Sequence, residues 1–192
     1  MFQCRNLKDV EGEYRDLPHM APNAIKFLDG YLTKDMNVFE WGAGGSTLWI
    51  AKRVKHIYSV EHSKHWYDFL KIKKLSMKDD TGKTNVSLYY CPTENPSPTD
   101  GDRGQPMEKY YVPIKLLDMK FDVIVIDGIV NSRNKCMELA IKYLKDPKGI
   151  IVFDDYASFR FDRSREMVRE WQTTSYNKGG NTTAILCRGR GL

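Results

Sequence analysis

The sequence predicts an α/β fold in which a mainly parallel sheet is wound with helices on both faces. Apolar strand-like runs alternate with helix-like ones over most of the chain, the pattern of repeated strand–helix–strand units. Two of those runs, FDVIVID and GIIVFDD, are apolar nearly throughout, as central parallel strands buried on both faces must be. A third, starting at Asn37, runs into the glycine turn Gly42-Ala43-Gly44-Gly45 and then into a helix-like stretch.

Taken in order, a polar arm (1–20) precedes a helix that begins near Pro22, a residue tolerated in an opening turn, and carries Ile25, Leu28 and Leu32 on one side. The strand Asn37 to Glu40 follows, then a helix over Ser46 to Val54, the strand His56 to Glu61 and a helix over Ser63 to Leu75. Both helices open on a serine suited to capping. After the strand Asn85 to Cys91 comes an insertion (92–119) whose stretch Pro92 to Gly104 is rich in proline and charge. Between strands of an open α/β sheet such a segment lies over the ligand crevice, so it is expected to act as a lid on the substrate side. Phe121 to Asp127 and Gly149 to Asp154 are the central strands. Between them Ser132 is placed to cap a helix whose Cys136, Leu139, Ala140, Tyr143 and Leu144 recur at helical spacing, ended by Pro147 and Gly149. A helix around Ser164 to Glu170 precedes a last strand, Thr182 to Cys187.

The 192 residues, 41% hydrophobic and 29% charged, fit one domain with a sizeable core. Thirty Lys and Arg against 25 Asp and Glu give a net charge of +5, but the cations are scattered. The densest run, Lys71, Lys73 and Lys74, falls on a predicted helix and reads as a solvated face, so nucleic acid is not the expected partner. Cys4, Cys91, Cys136 and Cys187 lack the paired spacing of a zinc site or a disulfide framework. Reduced thiols, no run long enough for a membrane helix and no apolar signal-like core in the opening residues together predict a cytoplasmic protein. This composition is also compatible with a homo-oligomer.

The chemistry concentrates where strands end. Gly42 and Gly44 let the backbone pass close to a ligand. Glu40, two residues before Gly42, would repel a pyrophosphate but suits a ligand with an ammonium group, which favours S-adenosylmethionine over a dinucleotide. Glu61 ends the second strand about twenty residues after the turn, the place of an acid that accepts hydrogen bonds from ribose hydroxyls. Two more acidic sites end the central strands: Asp127 and the pair Asp154-Asp155. On neighbouring strands these three carboxylates would repel one another unless protonated, hydrogen-bonded or bridged by a hard cation such as Mg²⁺ or Mn²⁺. Arg133 and Arg160 are candidates to hold an anionic acceptor such as a phosphate- or carboxylate-bearing sugar, with Arg103, Lys109, Tyr110 and Tyr111 in the insertion as further candidates.

These residues resemble the class I S-adenosylmethionine-dependent methyltransferases over Val38 to Asp155, with Ser46 where a third glycine is common. The resemblance implies a Rossmann-like, doubly wound sheet in the order 3-2-1-4-5 with antiparallel strands at the C-terminus. It implies that Glu40, Trp41, Gly42, Gly44 and Ser46 surround the methionine part of the cofactor, that Glu61 holds the ribose and His62 meets the adenine, with Cys91 to Glu94 as further adenine contacts. The segment from Ile126-Asp127-Gly128 to Gly149-Ile-Ile-Val-Phe-Asp-Asp-Tyr156 is similar to the macrocin-type sugar O-methyltransferases. That likeness implies Asp127, Asp154 and Asp155 as metal ligands and catalytic groups, Asp127 also bordering the cofactor. Catechol-type enzymes share the layout with Asn in place of Asp155. Ile129 stands where the macrocin pattern has a second acid, so the resemblance assigns no general base. A second likeness, to small bacterial methyltransferases of largely unassigned acceptor, rests on Trp41 to Thr47, Ser59 to Tyr67 and Thr182 to Leu186.

The expectation is therefore methylation of a small hydroxylated acceptor such as a sugar or glycoconjugate. Asp127-Gly-Ile-Val is unlike the D/N-P-P-Y/F sequence that grips a base amine, although RNA ribose methylation stays open. A non-catalytic S-adenosylmethionine-binding protein and a nicotinamide-dependent oxidoreductase are the alternatives, and Glu40 speaks against the latter.

Overall fold

A computed structural model describes residues 17–79, 81–93 and 108–189. In chain order the elements are α1 (Pro22–Tyr31), β1 (Asn37–Trp41), α2 (Gly45–Ala51), β2 (His56–Glu61), α3 (Lys64–Leu75), β3 (Val86–Tyr90), α4 (Val112–Leu116), β4 (Val123–Ile126), α5 (Arg133–Tyr143), β5 (Ile150–Phe153), α6 (Asp162–Met167), β6 (Gln172–Lys178) and β7 (Asn181–Cys187). The seven strands form one sheet in the order β3-β2-β1-β4-β5-β7-β6. The first five are parallel, while β7 runs antiparallel to both β5 and β6. The arm up to residue 16, Cys4, Glu94, Arg103 and most of the expected lid lie outside the described residues. No helix among the described residues is long and apolar enough to cross a membrane.

The period of two along the central strands divides the core. Val38, Val123, Val125, Ile150 and Val152 pack on one face with Leu28 of α1 and Ile50 of α2, whereas Phe39, Trp41, Ile124, Ile126, Ile151 and Phe153 pack on the other with Cys136 and Ala140 of α5. Because β1 to β5 are parallel, their C-terminal ends share one edge. Backbone bonds tie that edge together beyond the strands: Gly42 N–H donates to Val60, Cys91 N–H to Glu61, Asp127 N–H to Trp41 and Asp154 N–H to Ile126. The strand order reverses between β1 and β4, the position where open α/β sheets place their ligands.

Ser63 caps α3 as expected, accepting from Trp66 N–H at 3.4 Å. Two expectations about serine caps fail. Helix α2 starts at Gly45, one residue before Ser46, and the Oγ1 of Thr47 accepts from Gly44 N–H at 3.0 Å in the capping role. Ser132 precedes α5, but a 3-10 turn (Val130–Ser132) already holds it in helical dihedrals, and its hydroxyl donates to Ile129 O at 2.6 Å instead of capping.

Candidate functional site

At the end of β1, Glu40 is fully buried and its carboxylate accepts three hydroxyl bonds. Ser46 donates at 2.6 Å and Thr47 at 2.5 Å, both from the first turn of α2, and Ser59 donates at 2.7 Å from β2. Burial pushes this carboxyl from its usual 4.5 up to about 7, while the three hydroxyls pull the other way. The spacing in the sequence pointed Glu40 and Ser46 at a ligand. In the fold their first task is to lock the glycine turn to two strands.

Gly42 and Gly128 explain how closely β1 and β4 approach. Gly42 has φ of 92°, and a Cβ on it would lie 2.6 Å from the backbone of Asp127 and Gly128. A Cβ on Gly128 would lie 1.9 Å from the Tyr110 hydroxyl. Tyr110 arrives from the end of the insertion, is fully buried, and accepts a bond from the Trp41 indole N–H on its carbonyl at 3.1 Å. The side chain of Trp41 is therefore turned into the core, edge-on to Phe39 at 4.7 Å. Gly44 differs from both glycines: a Cβ there would meet no atom of the described residues within 4 Å, so among them the turn borders open space.

Glu61 ends β2 with 2% exposure. Its Oε1 accepts from the N–H groups of His62 at 2.9 Å and Ser63 at 2.6 Å, and the His62 Nδ1 lies 3.2 Å from the same oxygen. The His62 ring stands 6.5 Å from that of Tyr110. His65 is exposed on α3, and Trp66 beside it is half-buried. An open space beside Gly44, flanked by an acid whose bonds all fall on one oxygen, fits a ligand that carries vicinal hydroxyls.

The β4–β5 end is built around a cation that is part of the chain. Arg133 opens α5 and is buried, 2% exposed. Its Nε donates to Gly128 O at 2.9 Å, Nη1 to Asp154 O at 2.7 Å and Nη2 to Asp127 O at 3.2 Å. The remaining contacts, each 3.4 Å, reach Asp155 Oδ2 from Nη1 and Asp127 Oδ1 from Nη2. Asp154 goes elsewhere: its Oδ1 accepts from Thr183 of β7 at 2.5 Å, and Thr183 in turn accepts from Ala21 N–H at 2.9 Å. The three carboxylates expected to hold Mg²⁺ or Mn²⁺ are thus divided. One ties β5 to β7, and the other two face a guanidinium. No group of three His, Cys, Asp or Glu side chains among the described residues is placed to hold a metal ion, so the metal expectation does not fit this site.

Asp127 and Asp155 keep partly open side chains, 23% and 35% exposed. Asp155 takes left-handed backbone, φ 56°, which Asp tolerates better than most L residues. Arg133, read from the sequence as a holder of an anionic acceptor, has each of its N–H groups directed at an acceptor within the chain. Arg160 and Lys109 are exposed, and Tyr111 is buried beside Tyr110.

No family model matches this chain, and no curated protein matches it. Solved structures do. A methyltransferase-like protein of Silicibacter pomeroyi is 20% identical with a TM-score of 0.61, covering 91% of this chain and 90% of its own. An O-methyltransferase of Bacillus cereus, solved with S-adenosylhomocysteine (SAH), is 18% identical with a TM-score of 0.59, covering 90% and 84%. An rRNA methylase of Streptococcus thermophilus is 15% identical with a TM-score of 0.60, covering 86% and 94%. At these identities the likeness shows the fold, the Rossmann-like methyltransferase arrangement, and the differing acceptors of the named proteins leave the acceptor to be argued from the site.

Proposed function

We propose that this chain is an S-adenosylmethionine-dependent methyltransferase that methylates an oxygen of a small hydroxylated acceptor, such as a sugar or glycoconjugate, in the cytoplasm. The observation that carries this reading is Glu61: a buried acid at the end of β2, held on one oxygen, beside the open turn at Gly44. Glu61 would accept from the ribose hydroxyls, His62 would border the adenine, and the Gly42–Gly44 backbone would pass along the methionine part. Glu40 contributes indirectly by fixing that turn.

The cofactor, when bound, supplies a methyl group on a sulfonium, so an acceptor oxygen bonds to that carbon as the carbon–sulfur bond breaks and its electron pair stays on sulfur. The protein has to align the acceptor and remove one proton. Asp127, partly exposed at the end of β4 and beside the glycine turn, suits the role of general base, taking the hydroxyl proton onto its carboxylate. Asp155, partly exposed beside it, would orient the same acceptor. Asp154, engaged by Thr183, serves the frame of the site.

Titration calorimetry tests the reading. S-adenosylmethionine and SAH should each bind one to one and NAD should not. Binding of NAD alone, or of none of the three, would overturn it.

A further inference from the structure

Among the described residues Arg133 alone of the lysines and arginines is buried, and all five of its N–H groups are directed at acceptors. We propose that Arg133 is the built-in cation of the β4–β5 edge. It stands between Asp127 and Asp155, where a divalent ion would have to sit, so this chain uses no metal there and the acceptor meets the two carboxylates directly. The second half of this inference rests on the proposed methyl transfer; the first half stands on the geometry alone.

Several physical constraints keep the guanidinium in place. It is charged at every pH the fold survives and cannot be neutralised to admit an ion. Expelling it would leave the carbonyls of Asp127, Gly128 and Asp154 without their donor. Asp154 is in turn held on Oδ1 by Thr183, a bond that links β5 to β7 and to the segment before α1 and turns this carboxylate to the frame. The arrangement has a consequence for recognition. Arg133 directs its N–H groups at acceptors of its own chain and is not placed to hold a phosphate or carboxylate of the acceptor, while the Asp127 and Asp155 carboxylates give this wall of the site hydrogen-bond acceptors. The acceptor class it suits is one that offers hydrogen-bond donors there, a polyhydroxylated or amino-bearing compound.

The test uses the full chain. Electron paramagnetic resonance of added Mn²⁺ should show only free ion at millimolar concentration, and Mg²⁺ should leave the melting temperature unchanged. Saturable Mn²⁺ binding that Asp127→Asn abolishes would overturn the proposal. Calorimetry with SAH on the same sample separates the two readings: absent SAH binding with absent Mn²⁺ binding removes the methyltransferase reading and leaves the built-in cation standing. Charge compensation is read from thermal melts. Arg133→Gln should lower the melting temperature, and adding Asp155→Asn should recover part of the loss. Losses that simply add would contradict the proposal. Where Arg133→Gln does not fold, Arg133→Lys, which keeps the charge with fewer donors, is compared in the same way.

Discussion

Two ends of the same sheet edge hold carboxylates and compensate them differently. At the β1–β2 end, Glu40 is compensated by three neutral hydroxyls, so its charge remains costly and its proton affinity rises to about 7. At the β4–β5 end, Asp127 and Asp155 face a permanent cation, and its strongest bonds go to backbone carbonyls rather than to the carboxylates. The first end is a hydroxyl-braced frame around a ligand turn. The second is a wall built on a guanidinium. An acidic residue at a strand end therefore does not say by itself whether it meets a ligand, a hydroxyl or a neighbouring cation.

The sharpest way to break this contrast is to remove the cation. Arg133→Ala takes the guanidinium away from two carboxylates and three carbonyls, and loss of one partner from a buried ionic cluster typically costs about 3–5 kcal/mol. Urea denaturation should show a loss of that size; less than about 1 kcal/mol would mean that water replaces the guanidinium easily.

The hydroxyl-braced end should respond to pH. Because burial raises the Glu40 pKa in the folded state, its contribution favours folding most below 4.5 and is lost as pH rises from 4.5 through about 7, then stays constant. That span corresponds to about 3 kcal/mol. The difference in stability between the wild type and Glu40→Gln should carry this slope, and parallel pH curves for the two proteins would contradict it.

The seam between the ends offers a smaller effect. Gly128→Ala sets a Cβ against the Tyr110 hydroxyl, an overpacking worth about 1–3 kcal/mol. Tyr110→Phe removes the clashing atom and should restore part of the loss in a double-mutant cycle; strict additivity would place the strain elsewhere.

How much of this was legible in the sequence follows from what each residue touches. Strands β4 and β5 are buried on both faces and announce themselves as apolar runs, whereas the strand order is implied by the family resemblance and matches the observed sheet. Strand β6, QTTSYNK, is an exposed edge strand that, among the described residues, pairs with β7 alone, so it has no apolar run or clear alternation to mark it. Gly42, Glu61 and Asp127 lie at the ends of β1, β2 and β4 as read from the sequence, because a strand end fixes a residue's place in the chain trace. Side-chain partners across elements are not fixed in that way. Ser59 reaching Glu40 and Thr183 reaching Asp154 are tertiary contacts. The return of Arg133 to Asp127 depends on a 3-10 turn that a serine-cap reading of Ser132 hides.

The measurement that tests the contrast most directly is the affinity for SAH of Glu61→Ala beside that of Asp155→Ala. Losing a charged ribose partner should cost about 1.5–3 kcal/mol, about ten- to a hundredfold in affinity, whereas Asp155→Ala should leave SAH binding within about threefold of wild type. The reverse pattern, with Glu61→Ala unchanged and Asp155→Ala impaired, would place the cofactor at the β4–β5 end and contradict the account.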